Sequence, residues 1–569
     1  MTYRAPINDF KFIFENVIGL SRLEDTEKFA EASSDLTDAI LTEAGKLSEQ
    51  VLAPLQRNGD LEGAYLENGV VRTSPGYADG YRAIAEGGWV GMAADPENGG
   101  MGLPMTVTTA VNEMMGSACL SLELNPLMTQ GQIEALEHHA SDELKAIYLP
   151  KMISGEWSGT MNLTEPQAGS DVGALSSKAE PNGDGSYSVS GQKIFISWGD
   201  NDFTENVCHL VLARLPDGVP GTKGISLFMV PKFIPNEEGE PGVANSLRVV
   251  SLEHKMGLHG SPTAVMEYDN AQGWLIGEPH KGMSAMFTMM NNARLGVGVQ
   301  GLSVAEGAYQ HALNFALERK QGNSPVEGGN GTIVDHADVR RMLATMKADV
   351  FASRAIALSC ALAIDMGNAT GEAAWKARAA LLTPINKAFG TDTGIRVSEM
   401  GVQVHGGMGF IEETGAAQYS RDVRVTAIYE GTNGIQAMDL VGRKMMDGGA
   451  AAFALIDEIK AAVEKSAFAD LAAEVGKAAD ALRATTKDLV AADMNDRFAG
   501  AVPYLTGFAR VLGGYFHLLA ADCEGGEGPR SKLAKFYINR LLPEHAGLFE
   551  HAKQGASDLY AFSLDDLAG

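Results

Sequence analysis

The spacing of apolar residues changes twice along the chain, and this change limits the folds open to it. From about residue 37 to 157 apolar residues recur at helical spacing. From about 158 to 278 the segments SYSVSGQKIFIS, HLVLARL, GISLFMVP and TAVMEY alternate and carry many β-branched residues, as strands do. After Met283 the helical spacing returns. The pattern predicts a mainly α protein with a central β domain.

The same pattern divides the chain into five segments. Apolar residues before residue 40 are spaced for one short amphipathic helix. Gly448 and Gly449 mark a later boundary, beyond which the sequence is rich in alanine and helical in period. The predicted segments are an N-terminal extension, 1–40; an N-terminal helical domain, 41–157; a central β domain, 158–278; a C-terminal helical bundle, 279–446; and an additional helical domain, 447–569.

Composition excludes several classes of function. The chain has 569 residues, more than one ordinary core holds, and a formal net charge of −27. Such a charge argues against nucleic acid or an anionic membrane as the main partner. We expect no membrane-spanning run and no secretory signal. The four cysteines show no CxxC spacing, so we expect no metal site and a reducing, cytoplasmic location.

The stretch AIYEGTN, residues 427–433, is the strongest candidate for chemistry. Gly431 permits backbone angles that strain other residues, and Thr432 can cap a helix that starts beyond it. Glu430 would then project from a tight corner into a cleft. Taken alone, an exposed glutamate in a loop is the alternative.

Two glycine-containing segments are candidates for ligand binding. LTEPQAGSDVGA, residues 163–174, offers hydroxyl groups and backbone N–H groups that suit an anionic or polar heterocyclic ligand, or it is a plain interdomain loop. VQVHGGMGF, residues 402–410, is a helix C-terminus or a place where the backbone approaches phosphate.

A third glycine pattern is not interpreted as a nucleotide site. Residues 296–301, GVGVQG, spell GxGxxG, but a dinucleotide fingerprint must follow a buried strand and open a helix. The preceding residues are helical in pattern. We therefore predict that these glycines let two helices approach closely.

Four segments occur in order: LTEPQAGSD, GQKIFISWG, QVHGG and YEGTNGIQ. In this combination the chain resembles the acyl-CoA dehydrogenase family over residues from about 40 to 445. The resemblance implies an N-terminal helical domain, a β-barrel-like middle domain and a C-terminal four-helix bundle, here followed by an extra helical domain.

The resemblance also implies FAD as cofactor and gives roles to individual residues. Glu430 corresponds to the catalytic base, and Arg294 to an arginine near that base. Arg319 and the run from Gln403 to Gly407 correspond to residues that a neighbouring subunit lends to the FAD. The residues that would bind the cofactor are Thr164, Ser170, Phe195, Ser197, Arg319, Gln403, Gly406, Gly407 and Thr432.

The chain departs from the family pattern at three places. Asn162 stands where a small residue is usual, and Phe195 replaces the commoner Trp. After Arg319 the sequence KQGNSP replaces a frequent Phe-Gly pair, which affects the expected aromatic contact to adenine but not the expectation of FAD binding.

The family implies α,β-dehydrogenation of an acyl-CoA, an electron-transfer flavoprotein as acceptor, and a homodimer or homotetramer. The N-terminal segment and the helical tail resemble one branch of the family, which implies 3-(methylthio)propanoyl-CoA, from dimethylsulfoniopropionate breakdown, as substrate and 3-(methylthio)acryloyl-CoA as product. The alternatives are a straight-chain acyl-CoA dehydrogenase, an acyl-CoA oxidase, or a DNA-associated flavoprotein with little dehydrogenase activity; the net charge disfavours the last.

Overall fold

The computed structural model describes residues 3–569, apart from the side chains of Thr288 and Asn291. The chain forms two compact units. The first contains Glu43–Leu103 and Met114–Ala293, and the second contains the described part of Thr2–Thr42, Pro104–Glu113 and Arg294–Gly569.

Helices predominate, as the sequence predicts. The α-helices are α1 Ile7–Phe12, α2 Ser34–Leu47, α3 Leu55–Leu61, α4 Tyr77–Glu86, α5 Met105–His139, α6 Asp142–Ile153, α7 Gly282–Glu318, α8 Ala337–Thr370, α9 Ala373–His405, α10 Gly407–Phe410, α11 Ala416–Val423, α12 Asn433–Val441, α13 Ala450–Lys465, α14 Ala469–Ala491, α15 Met494–Ala499, α16 Ala501–Glu524, α17 Pro529–Arg540, α18 Glu544–Ala552 and α19 Leu564–Ala568.

The strands all belong to the first unit. They are β1 Tyr65–Glu67, β2 Val70–Arg72, β3 Trp157–Asn162, β4 Lys178–Pro181, β5 Tyr187–Ser197, β6 Asn206–Arg214, β7 Ile225–Pro231, β8 Phe233–Pro235, β9 Pro241–Ala244, β10 Leu247–Leu252 and β11 Thr263–Ile276. The four segments that alternate in sequence lie within β5, β6, β7 and β11 or extend one residue beyond one end of the strand. The fold class expected from the sequence is confirmed.

The central sheet closes on itself. Pairing runs from β11 to β5, β4, β6 and β7 and returns to β11, with β10 and β3 added at the sides. Closure pairs strand edges that would otherwise be open, which is how a small barrel is stabilised. Its interior is filled by apolar side chains such as Val189, Val211, Phe228 and Met266.

Strand β3 was not predicted as a strand from the alternation pattern. Five of the six residues in its sequence, WSGTMN, are buried. Its polar and small residues therefore do not mark an exposed face that alternates with a buried one. It pairs with β6 in parallel, from Trp157 opposite Asn206 to Asn162 opposite Val211. A strand buried on both faces loses the period of two on which the prediction depends.

In the second unit α8, α9, α11 and α12 form a helical bundle with the C-terminal part of α7. Helix α8 is long and apolar enough to cross a bilayer by length and composition, which corrects the expectation that no such run exists. However, 94% of its apolar window is buried inside the protein, as in the core helix of a bundle.

The GxGxxG segment lies within α7, with no strand before it. A Cβ atom on Gly298 would lie 2.7 Å from the backbone oxygen of Asn386, and one on Gly390 would lie 2.4 Å from the oxygen of Gly298. Such distances exclude any side chain. The prediction that these glycines let helices α7 and α9 approach closely is confirmed.

The helical tail packs against this bundle. Helix α16 contacts α8, α9 and α12, and Arg510 on α16 donates to Asp349 on α8 at 2.5 Å. The N-terminal extension joins the same unit, where Asp9 pairs with Arg530 of α17 at 2.9 Å. The tail is therefore integral to the second unit.

Candidate active site

Glu430 lies in a strained corner between a 3₁₀ turn, Arg424–Ala427, and helix α12. Its φ is +55° and that of Gly431 is +84°. A left-handed conformation is uncommon for a residue with a side chain and is found preferentially at functional sites. Thr432 caps α12, as predicted, because its hydroxyl accepts from the backbone N–H of Ile435 at 3.3 Å.

Gln436 stabilises this corner from within α12. Its amide Nε2 donates to the backbone oxygen of Glu430 at 3.1 Å and to that of Gly431 at 3.4 Å. The Gln436 side chain is fully buried, so it makes both hydrogen bonds from inside the protein. The hydrogen bonds fix the direction in which the Glu430 side chain leaves the backbone.

The surroundings of Glu430 favour its protonated form. Burial raises the pKa of Glu430, while the positive charges of Arg294 and Lys387 oppose that rise without cancelling it. A base that must accept a proton from carbon works best with its pKa near the working pH. The corner therefore holds a carboxylate that is more basic than an exposed one.

Arg294, the predicted neighbour of the base, is 7% exposed on α7. Its Nη1 lies 3.8 Å from Asp439 Oδ2, and its Nε has no hydrogen-bond partner among the described residues. Burial lowers the pKa of Arg294, and the charges of Asp439 and Glu430 oppose that shift. An unsatisfied buried donor is costly, which makes this nitrogen available to a ligand.

A second group of predicted site residues lies in the first unit, on the loop after β3 and on β5. The backbone N–H of Ile194 donates to the oxygen of Thr164 at 2.9 Å. Glu165 and Ala168 exchange two backbone hydrogen bonds of 3.0 Å, which fold the loop into a tight turn and leave Ser170 exposed. Thr164 is thereby held next to β5.

Phe195 is the most unusual residue of this group. Its φ is +60° and its side chain is 60% exposed. The register of β5 against β11 shifts between Ala264 and Met266, so a bulge in β5 turns the ring outward. Ser197 follows in partly exposed position, and its backbone oxygen accepts from the Thr160 hydroxyl at 2.9 Å. An aromatic ring held outward among hydroxyl and backbone groups suits a planar heterocycle.

The remaining predicted cofactor residues lie in the second unit. Arg319 follows the end of α7, and Gln403 lies in the last turn of α9; both are exposed. Helix α9 ends at His405, and Gly406 has a φ of +60°. A Cβ atom on Gly406 or Gly407 would meet nothing within 4 Å, so the backbone there is open to a ligand. Residues 402–410 are thus a helix terminus with an accessible backbone.

Sequence reasoning missed the residues that support the site. Lys193 and Glu165 form a buried ion pair beneath the loop after β3, and Lys387 binds Asn433 beside the corner. The one available signal was Asn433 itself, a residue type that favours helix starts. The lysines carried no signal, because lysine in a helix or strand is normally exposed.

Family models for acyl-CoA dehydrogenases match nearly the whole chain. The N-terminal domain model matches residues 36–156, the middle domain model 160–271 and the C-terminal domain model 280–446. A further model, described as acetyl-CoA dehydrogenase C-terminal like, matches 455–563.

Curated relatives are similar over most of their length. A protein of Ruegeria pomeroyi named 3-methylmercaptopropionyl-CoA dehydrogenase is 44% identical over 546 residues, covering 93% of each chain. A butyryl-CoA dehydrogenase of Syntrophomonas wolfei is 36% identical, covering 78% of this chain and 75% of that relative. A broad-specificity linear acyl-CoA dehydrogenase of Mycobacterium tuberculosis is 34% identical, with coverages of 82% and 79%.

Two solved structures share the fold across the chain. Caenorhabditis elegans ACDH-11 in complex with C11-CoA superposes with a TM-score of 0.79 at 20% identity, covering 94% of this chain and 91% of that one. An acyl-CoA dehydrogenase complexed with FAD from Bacillus anthracis gives 0.75 at 20% identity, covering 94% and 90%.

Proposed function

The chain belongs to the acyl-CoA dehydrogenase family, and on that basis we propose that it oxidises an acyl-CoA across its α and β carbons with Glu430 as the base. The observation that carries the residue assignment is the strained corner, in which Glu430 and Gly431 both have positive φ and Gln436 binds both carbonyl groups.

The reaction needs a base at one carbon and an electron acceptor at the next. Glu430 removes the α proton, and burial raises its pKa, which brings the carboxylate closer to the basicity that this step needs. When bound, FAD supplies the two-electron acceptor for the β hydrogen, which no amino-acid side chain can supply. Arg294 supports the site by keeping a positive charge near the carboxylate.

The cofactor residues fall into two groups. Thr164, Ser170, Phe195 and Ser197 present hydroxyl groups and an exposed ring on the β domain, and Thr432 adds a hydroxyl beside the base. Arg319, Gln403, Gly406 and Gly407 would serve the FAD of a neighbouring copy. Their exposure and the open backbone at the two glycines support this assignment. The enzyme would accordingly be a homodimer or homotetramer.

We assign 3-(methylthio)propanoyl-CoA as the substrate and 3-(methylthio)acryloyl-CoA as the product. The similarity to the Ruegeria relative covers 93% of both chains, whereas the butyryl-CoA relative covers 78% of this chain. The broader relatives make straight-chain acyl-CoAs the second candidate class.

We infer the electron acceptor and the cellular location from the same family. An electron-transfer flavoprotein would receive the electrons, and the enzyme would work in the cytoplasm. We retain the division at residues 40, 157, 278 and 446 as part of this proposal.

The test is reduction of the bound flavin under anaerobic conditions. Purified protein is mixed with 3-(methylthio)propanoyl-CoA or with pentanoyl-CoA, in which a methylene replaces the sulfur, and loss of flavin absorbance is timed. Faster bleaching by the sulfur compound supports the substrate assignment. Faster bleaching by pentanoyl-CoA keeps the dehydrogenase but contradicts the substrate. Absence of flavin binding would overturn the proposal as a whole.

A further inference from the structure

A fully buried lysine, Lys387, lies on α9 beside the corner that carries Glu430. We propose that Lys387 is a positioning residue that fixes the corner through Asn433 and whose positive charge favours the ionised form of Glu430, without touching substrate or cofactor. The inference rests on the proposed role of Glu430 as the base.

The contacts form a short network between two helices. Lys387 Nζ donates to Asn433 Oδ1 at 2.9 Å. The amide nitrogen of Asn433 donates to Asp392 Oδ1 at 2.7 Å and to the hydroxyl of Thr391 at 2.9 Å. Asn433 is the first residue of α12, three positions after Glu430. The side chain of Asn433 thus attaches the start of α12, which follows the strained corner, to helix α9.

The charge of Lys387 is not explained by packing. Its ammonium group binds a neutral amide, and no carboxylate among the described residues lies within ion-pair distance of it. Burying a charge without a direct partner is costly, and an apolar side chain of similar length would fill the same space. A charge kept at such cost points to an electrostatic role.

Two cations oppose the effect of burial on the pKa of Glu430, Arg294 more strongly and Lys387 less strongly. Glu430 faces Arg294 from α7 and Lys387 from α9. Arg294 is partly neutralised by Asp439, which lies 3.8 Å away and also binds Arg443. The Lys387 charge acts on Asp392 and Glu430 and is opposed by Arg294.

Asp392, the second carboxylate near Lys387, has several partners. Asn433 donates to its carboxylate, and the positive charges of Arg396, Lys387 and Arg424 also lie nearby. Asp392 therefore has cationic neighbours other than Lys387. Lys387 therefore interacts with two carboxylates, Asp392 first and Glu430 second.

The test is the pH dependence of kcat/KM for the holoenzyme and for Lys387→Met. Removing the cation should move the acid limb of the profile to higher pH, so that kcat/KM at any pH well down that limb falls about tenfold for a shift of one pKa unit. Burial lowers the pKa of Lys387 to about 8, so the two profiles should converge above that pH. Thr383→Val, one turn earlier on α9 and away from the corner, is the matched control and should leave the limb in place.

A loss of activity that is equal at every pH would show a merely structural role and overturn the proposal. If Lys387→Met does not fold, Lys387→Gln removes the charge but can still donate to Asn433, and the same shift is expected. If Glu430→Gln retains turnover, the base assignment itself has failed; if it is inactive while both Lys387 variants show no shift, only this inference has failed.

A readout that does not depend on turnover comes from a double-mutant cycle. The drop in the unfolding midpoint caused by Lys387→Met at pH 7 should be smaller when Glu430 is already Gln, because the favourable charge interaction is then absent. Equal drops in both backgrounds would show that the two side chains do not interact.

Discussion

Glu165 Oε1 lies 2.8 Å from Lys193 Nζ, and both side chains are almost completely withdrawn from water. Glu165 also accepts from the backbone and hydroxyl groups of Ser176 and Ser177 at 2.6–3.1 Å. The pair joins the loop of Thr164 to strand β5. One ion pair therefore fixes the two surfaces on which the flavin would rest.

Breaking this pair should destabilise the protein and weaken flavin binding together. In Lys193→Met the Glu165 carboxylate remains buried without its cation, and loss of one partner of a buried pair costs about 3–5 kcal/mol. Denaturant unfolding and the ratio of flavin to protein after purification measure the two effects. The double variant Lys193→Met/Glu165→Gln should recover part of the stability, since no charge is then left alone. A single variant as stable as the double variant would contradict this account.

The Glu165–Lys193 ion pair predicts how the stability of the protein depends on pH. Burial alone would raise the pKa of Glu165, but Lys193 and the serine hydrogen bonds outweigh burial and hold it well below the usual range. A carboxyl with a depressed folded-state pKa contributes stability that is present above its unfolded pKa and is lost as pH falls. The unfolding midpoint should therefore decrease as the pH is lowered below 4.5, the ordinary pKa of a glutamate. The decrease should be less steep in Glu165→Gln, which lacks the titrating carboxyl group.

Replacing Glu430 by Gln should abolish turnover while leaving the fold intact. The amide keeps the size of the side chain but cannot accept the α proton, and a positioned base contributes about 10²–10⁴-fold. Anaerobic flavin reduction measures the loss, and the visible spectrum shows whether the cofactor is retained. Near-wild-type reduction in this variant would remove Glu430 from the mechanism.

The acid limb of kcat/KM should lie above the pH at which an exposed glutamate titrates. Burial raises the pKa of Glu430 from its usual 4.5, and only the ionised form can accept a proton. Activity should consequently rise with pH through the raised value and not through 4.5. Rates measured in buffers of constant ionic strength from pH 5 to 9 locate this limb.

Two neighbouring glycines offer a matched comparison at the corner. Gly431→Ala places a Cβ where φ is +84° and only 2.9 Å from Gln436 Nε2, so we expect about 1–2 kcal/mol of strain and a lower kcat. Gly434 is in α12, and a Cβ there meets nothing closer than 3.8 Å. Gly434→Ala should be neutral or stabilising by up to ~1 kcal/mol. Equal effects of the two substitutions on kcat would argue against strain at the corner.

The parts of the site that were predicted from sequence are those encoded locally. The corner at Glu430, the cap at Thr432 and the strands with alternating residues each depend on neighbours within a few positions. The supporting contacts are not local: Lys387 is 46 residues from Asn433, and Lys193 is 28 from Glu165. A single sequence holds no periodicity that links such positions, so buried lysines were missed.

Helix α16 of the tail packs against α8, α9 and α12, and α12 begins at the corner that carries Glu430. A chain that lacked the helical tail would expose the faces of α8, α9 and α12 against which α16 packs. Uncovered faces of this kind associate with each other, so the truncated protein would aggregate instead of yielding a smaller enzyme. Substitutions in the buried face of α16 should therefore lower the yield of active enzyme.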